Sequence, residues 1–156
     1  MKKFLQKKLN QKGLTLVELL AVIVILGIIA AIAVPAIGNI IENTKYNAVK
    51  SDALNALSAG NLYYAEQPKE KKVSIKELVD GGYLDNNGKL LDAVSIDKAE
   101  EKNKLSISGN SEEYAGGKKV IFTAATVESI NADTKKGSAK EDKTITATPA
   151  AAPEQK

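Results

Sequence analysis

The sequence predicts an α+β chain in which one long N-terminal helix, apolar in its first half and amphipathic in its second, packs on a small antiparallel β-sheet. Three observations carry this expectation. Leu19 to Ile41 is a run of 23 residues without a charge. Beyond it Tyr46, Val49, Ala53, Ala56, Leu57, Gly60 and Tyr64 fall mainly at steps of three or four, the spacing of one helix face. After residue 66, short stretches of period-two alternation are separated by Asn- and Gly-rich turns.

The composition narrows the function before any motif is read. The chain has 156 residues, enough for one domain. Aromatics are 4%, so the core must be aliphatic and small. There are 0 Cys and 0 His, which removes disulfides, thiolate nucleophiles, zinc centres built on those residues and His-based acid–base catalysis. All 22 basic residues are Lys, so bidentate guanidinium recognition is absent. No nucleophile–base pair or metal constellation can be assembled, and the expectation is no enzyme, no cofactor and no metal. Five Lys (Lys2, Lys3, Lys7, Lys8, Lys12) precede Gly13; from residue 14 onward 17 Lys face 19 acids. The basic balance therefore belongs to the N-terminus and reads as a targeting feature, not as a nucleic-acid surface.

As a helix, the uncharged run is about 34 Å long, enough to cross a bilayer. Lys on its N-terminal side place that end in the cytoplasm. Three readings compete for it. Ala31-Ile32-Ala33 fits the A-x-A site of an ordinary secretory signal. A plain membrane anchor is the second reading. The third is a leader cut on the cytoplasmic side of the apolar run. Glu18 separates them, because a carboxylate beside a membrane run costs about 2.5–3.5 kcal/mol if carried to mid-bilayer. A local alternative is a capping box, Thr15-x-x-Glu18, which leaves Gly13 unexplained.

The string Lys12-Gly13-Leu14-Thr15-Leu16-Val17-Glu18-Leu19-Leu20, with the apolar tract behind it, resembles the N-terminus of type IV prepilins and their class III signal peptide. The close match covers residues 12 to about 45. The resemblance implies a pilin-like fold, cleavage between Gly13 and Leu14 by a membrane prepilin peptidase, and methylation of the new Leu14 amine. Most pilins carry Phe where this chain has Leu14. The resemblance also implies that Glu18 neutralises the Leu14 amine of a neighbouring subunit, with Thr15 beside it, and that the chain belongs to the filament body. In resembling pilins the stretch corresponding to Gly27–Pro35 can lose helicity on assembly. Gram-negative pilins often close their C-terminal region with a disulfide, and this chain cannot.

On this reading, residues 1–13 are the leader, 14–42 the hydrophobic transmembrane and assembly helix, and 43–65 the amphipathic half of the same helix. Residues 66–130 form a small α+β head and 131–156 a flexible polar tail. Pro35 cannot donate to the Ala31 carbonyl, and Gly27 and Gly38 loosen the helix further. Glu66 to Lys72 reads as a loop. Ser74-Ile75-Lys76-Glu77 is a capping box opening a helix of about two turns, stopped by Asp80-Gly81-Gly82. Leu90–Ile96, Leu105–Ser108 and Lys119–Thr126 are the strand candidates, for a sheet of three or four strands. Asp85-Asn86-Asn87-Gly88 with Asp92 lacks the calcium-loop spacing and reads as a turn. Lys69, Lys71, Lys72, Lys118 and Lys119 read as a solvated face, because acids alternate with them. From Asn131 on, sparse apolar residues give burial too weak to offset ordering entropy.

The expected function is that of a structural subunit of a type IV pilus filament, held in the membrane by a single span and then displayed outside the cell. Its expected partners are further copies of itself in a helical homopolymer, the prepilin peptidase, the assembly platform and ATPase, and the membrane before assembly; nucleic acid is left open. One alternative is a pseudopilin of a competence or type II secretion-like apparatus. Another is a secreted or anchored adhesin-like domain behind an ordinary signal. Adhesion, twitching motility and DNA uptake would all use the same N-terminus.

The leader and the ordinary signal predict different termini. N-terminal mass spectrometry of the mature protein is expected to show a methylated Leu14, and a start at Val34 would reject the prepilin reading. Gly13→Trp is expected to leave uncut precursor in the membrane.

Overall fold

The computed structural model describes residues 2–99 and 104–147, with side chains from Thr15 onward. The chain divides into two units, Met1–Ile40 and Ile41–Lys156, each described here by itself.

Helix α1, Lys2–Glu66, runs through both. In the first unit it continues unbroken past Gly27 and Pro35. Every large apolar side chain from Leu16 to Ile41 is exposed, none by less than 49%. This part of α1 is apolar on all sides, the pattern of a helix made for a non-aqueous or packed environment.

In the second unit the same helix acquires a single buried face. Tyr46, Val49, Ala53, Ala56, Leu57, Ala59 and Tyr64 are all buried, while Lys45, Ser51, Asn55 and Ser58 on the other faces are exposed. Gly60 belongs to the face for a steric reason: a Cβ there would meet Ile96 Cγ2 at 3.0 Å. Helix α2, Ile75–Asp80, starts at the expected capping box, with the Ser74 Oγ accepting from the Glu77 amide and the Glu77 carboxylate accepting from the Ser74 amide at 2.8 Å. It stops at Gly81 and Gly82, the latter at φ +75.

Among the described residues the strands form one five-stranded sheet in the order β1 (Lys72–Ser74), β2 (Ser95–Lys98), β3 (Leu105–Asn110), β4 (Val120–Ala125), β5 (Lys143–Thr146). The first three pairings are antiparallel, and β4 with β5 is parallel. A parallel neighbour needs a crossover of a dozen or more residues. Here it contains the short helix α3 (Val127–Ala132) and the segment 133–142. Val73, Ile96, Ile107, Val120, Phe122 and Ile145 join the helix face in one core. Each such side chain contributes about 1.5–3 kcal/mol by burial.

Three expectations are corrected. Leu90–Ile96 is not one strand: Val94 donates back to the Leu91 carbonyl at 2.9 Å, a turn that delays β2 to Ser95 and leaves Leu90 a lone bridge to Ser111. The sheet has five strands and one parallel pair, because Lys72–Ser74 and Lys143–Thr146 both join it. The tail does not begin at Asn131. Ile130 and Ile145 are buried at 0% and 2% exposure, and β5 alternates buried Lys143 and Ile145 with exposed Thr144 and Thr146. Residues 148–156, the rest of the expected tail, lie outside the described residues.

Between β3 and β4 the register shifts: Ile107 faces Ala125 but Gly109 faces Phe122, so β4 carries one extra residue. Ala124 absorbs it at φ 49, a conformation that suits glycine better than alanine. Ala124→Gly is therefore expected to leave stability unchanged or raise it by up to about 1 kcal/mol. Ala53→Gly, in the buried interior of α1, is expected to lower it by about 1 kcal/mol or more. Urea unfolding of the two variants checks the contrast.

Candidate functional site

Of the residues singled out in the sequence, Gly13 and Leu14 lie outside the residues whose side chains are described. Thr15 and Glu18 sit one turn apart within α1, both exposed. They are not at its first turn, so their capping-box spacing is not used to start this helix. Glu18 is the only charged residue between Lys12 and Glu42. A helix segment with apolar side chains on every face and one carboxylate near its start can do two things chemically. It can enter a bilayer, and it can pack against copies of itself while offering a single negative charge to a cation. Among the described residues α1 is long and apolar enough to cross a membrane.

Residues 8–34 match the prokaryotic N-terminal methylation motif. No curated protein and no solved structure matches the chain. The segment is thus a class III signal peptide of the kind carried by type IV pilins and pseudopilins. The fold behind it, a long N-terminal helix whose second part packs on a mostly antiparallel sheet, is α+β and pilin-like.

A second group of side chains, unforeseen from the sequence, lies at the beginning of the second unit. Residues 133–138 cross helix α1 as a strap. Gly137 runs so close that a Cβ would lie 2.5 Å from Tyr46 Cβ and 2.6 Å from the Glu42 carbonyl oxygen. No other residue type fits without displacing the helix backbone. On either side of it the strap is tied down. The Ser138 amide donates to Asn43 Oδ1 at 3.0 Å, and Tyr114 donates its hydroxyl to the Gly137 carbonyl at 2.9 Å. Tyr46 donates to Asp133 Oδ2 at 2.6 Å, and Lys50 Nζ reaches the Asp133 carbonyl at 2.7 Å and its carboxylate at 3.4 Å. Lys135 holds the other carboxylate oxygen at 2.9 Å. Lys118 lies 2.6 Å from Glu42 and is 11% exposed, which corrects its place in the solvated face. Buried Lys143 donates to the Ala139 and Glu141 carbonyls and closes the loop between strap and β5.

Electrostatics follows from this geometry. Burial alone would raise the Asp133 carboxyl. The hydrogen bonds from Lys135 and Tyr46 and the charges of Lys135 and Lys50 outweigh it and hold the group below the ordinary aspartate range. Burial, reinforced by the Asp133 carboxylate, pushes the Tyr46 phenol far above its usual range, so it stays a donor. Elsewhere the expected turn is present: Leu90 donates to the Asn87 carbonyl at 2.9 Å, Gly88 takes φ +57, and Lys89 donates its amide to Asp52.

The strap could not be read from the sequence because its partners on α1 are 83 to 95 residues away. The only local hint was Gly137 between polar residues.

A carboxyl depressed in the folded state stabilises it above the ordinary aspartate pKa, about 3.9, and loses that contribution as pH falls through the lower folded value. Asp133→Asn is therefore expected to flatten the decline in stability on the acid side of pH 4. Asp133→Ala is expected to lower stability at neutral pH by about 1.5–3 kcal/mol, the size of a lost hydrogen bond to a charged group. Thermal unfolding measured from pH 2.5 to 7 decides both.

Proposed function

We propose that this chain is a structural subunit of a type IV pilus filament, not an enzyme. The observation that carries the reading is the uniformly exposed apolar helix with Glu18 as its only charge, behind a match to the methylation motif. The prepilin peptidase cuts between Gly13 and Leu14 and methylates the Leu14 amine. The protein waits in the membrane as a single span with its N-terminus cytoplasmic. The assembly platform and its ATPase then move it into an extracellular homopolymer, in which the helices of neighbouring copies cover one another. The motif match supports a leader over an ordinary secretory signal and speaks against the adhesin-like alternative. A pseudopilin of a competence or secretion apparatus shares the same motif and is the second reading. Adhesion, twitching motility and DNA uptake are uses of the finished filament that draw on its outer surface.

Glu18 is the residue on which assembly turns. Removing its charge makes the segment more apolar, so insertion improves by up to about 2.5–3.5 kcal/mol and cannot be the defect. Removal also leaves a neighbour's Leu14 ammonium unpaired among packed helices, at about 3–5 kcal/mol. Loss of a helix cap would be worth only about 1 kcal/mol, within each subunit. Glu18→Ala and Glu18→Gln are both expected to be processed normally and to remain in the membrane fraction without filaments, as judged by shearing and electron microscopy. Wild-type filaments from Glu18→Gln would show that the charge is not used between subunits.

A further inference from the structure

Helix α1 changes character within one turn. From Pro35 to Ile41 every side chain is exposed. Pro35 has no amide hydrogen, so the Ala31 carbonyl lacks its helical donor and the ladder is weakest there. From Glu42 the side chains at 42, 43, 46 and 50, all on one face, are engaged at once. Glu42 binds Lys118, Asn43 accepts from Ser138, and Tyr46 and Lys50 bind Asp133. The first buried apolar contacts of the helix also begin at Tyr46, whose ring lies 5.8 Å from that of Tyr114. Between Glu42 and Lys50 only Tyr46 and Val49 are buried apolar residues, and the polar links at Glu42, Asn43, Tyr46 and Lys50 supplement them.

We propose that the strap 133–138 is a latch that sets where unwinding of α1 stops. Opening that begins near Pro35 can spread towards the C-terminus only by breaking the Glu42, Asn43, Tyr46 and Lys50 links together, because all four converge on the strap and on the Tyr114–Lys118 turn beside it. Gly137 makes the latch short. Its backbone touches the helix at Glu42 and Tyr46, so the strap cannot follow a moving helix by bending a side chain. Beyond Lys50 the helix face of Ala53, Ala56, Leu57, Ala59 and Tyr64 is held by the core without the strap. The latch thus protects the sheet-bearing unit from changes in the exposed part of its own helix. This inference rests on contacts within the second unit and stands whether or not the chain forms a filament.

Hydrogen exchange with mass spectrometry on the full-length protein in dodecyl maltoside micelles tests it. In the wild type, peptides covering residues 42–50 should be well protected. Asp133→Ala should speed exchange across 42–50 about tenfold or more beyond any change it causes across 53–64. Tyr46→Phe, which keeps the ring and removes only the hydroxyl donor, should give a smaller change in the same place and serves if Asp133→Ala does not fold. Three results would overturn the latch: exchange across 42–50 unmoved in both variants, a parallel rise in 42–50 and 53–64, or a wild-type 42–50 already exchanging like an open segment.

Discussion

The apolar surface of α1 between Leu16 and Ile41 is the constraint from which the rest follows. Apart from the Ala31 carbonyl, which Pro35 leaves without its donor, the helix satisfies its own backbone, so the hydrogen-bond ladder sets little limit on where it can go. Its side chains do limit it. Each large aliphatic residue left in water forgoes about 1.5–3 kcal/mol, and the segment carries them on every face. In the proposed function that cover comes first from lipid and then from other helices of the same kind. Both coverings are apolar, so transfer between them changes hydrophobic burial little. A charge changes much more, and Glu18 is the only one present. The distinction between the membrane state and a packed state is therefore concentrated in one carboxylate.

The second part of the same helix solves a different problem. A five-stranded sheet of this size buries little on one face, and its core contains Phe122 and three tyrosines as the only aromatic residues. The helix compensates by close approach. Ala53, Ala56, Ala59 and Gly60 present small side chains to the sheet, so that Ile96 packs almost against the helix backbone at Gly60. Tyr64 follows with a hydroxyl that donates to the Ile96 carbonyl at 2.7 Å. Aliphatic residues on the strands and small ones on the helix make a core that needs few large rings, in keeping with a chain of 4% aromatics.

Local signals were readable from the sequence and distant ones were not. The capping box at Ser74 and Glu77 was legible because both partners lie within one turn. The buried stripe from Tyr46 to Tyr64 was legible because periodicity reports burial directly. Thr126 opens α3 with Ser129 as its reciprocal partner, a weaker form of the same signal than one using Glu, and it went unread. Lys143-Thr-Ile-Thr alternates as a strand should, but a low apolar count around it outweighed three β-favouring residues. The strap was out of reach for a stronger reason. Asp133, Gly137 and Ser138 acquire meaning only beside Tyr46, Glu42 and Asn43, and nothing local in either segment encodes that meeting. At the N-terminus the opposite holds: the leader, the apolar run and Glu18 form one continuous string, so what they imply is present in the sequence without the fold.

The order of these elements along the chain has a consequence for folding. The helix emerges first, but its latch and the outermost strand come last. Tyr46 and Lys50 find Asp133 across 87 and 83 residues, and Asn43 finds Ser138 across 95. Loop-closure entropy rises slowly with length, so these separations weigh little on final stability. They weigh on the route, because contacts between distant segments form late and slow folding. The antiparallel strands β2 to β4 can pair in sequence order by short connections, and β1 joins β2 through the segment 75–94 that carries α2. The parallel strand β5 can join only after α3 and the strap have crossed back over α1, because its pairing with β4 requires that crossover. Sequence separation therefore predicts that the region around Glu42 to Lys50 is the last part of the helix to be secured, although it is among the first residues made. On the proposed membrane insertion this order is an advantage, because the apolar helix would be housed in lipid before the C-terminal segment closes over the amphipathic half.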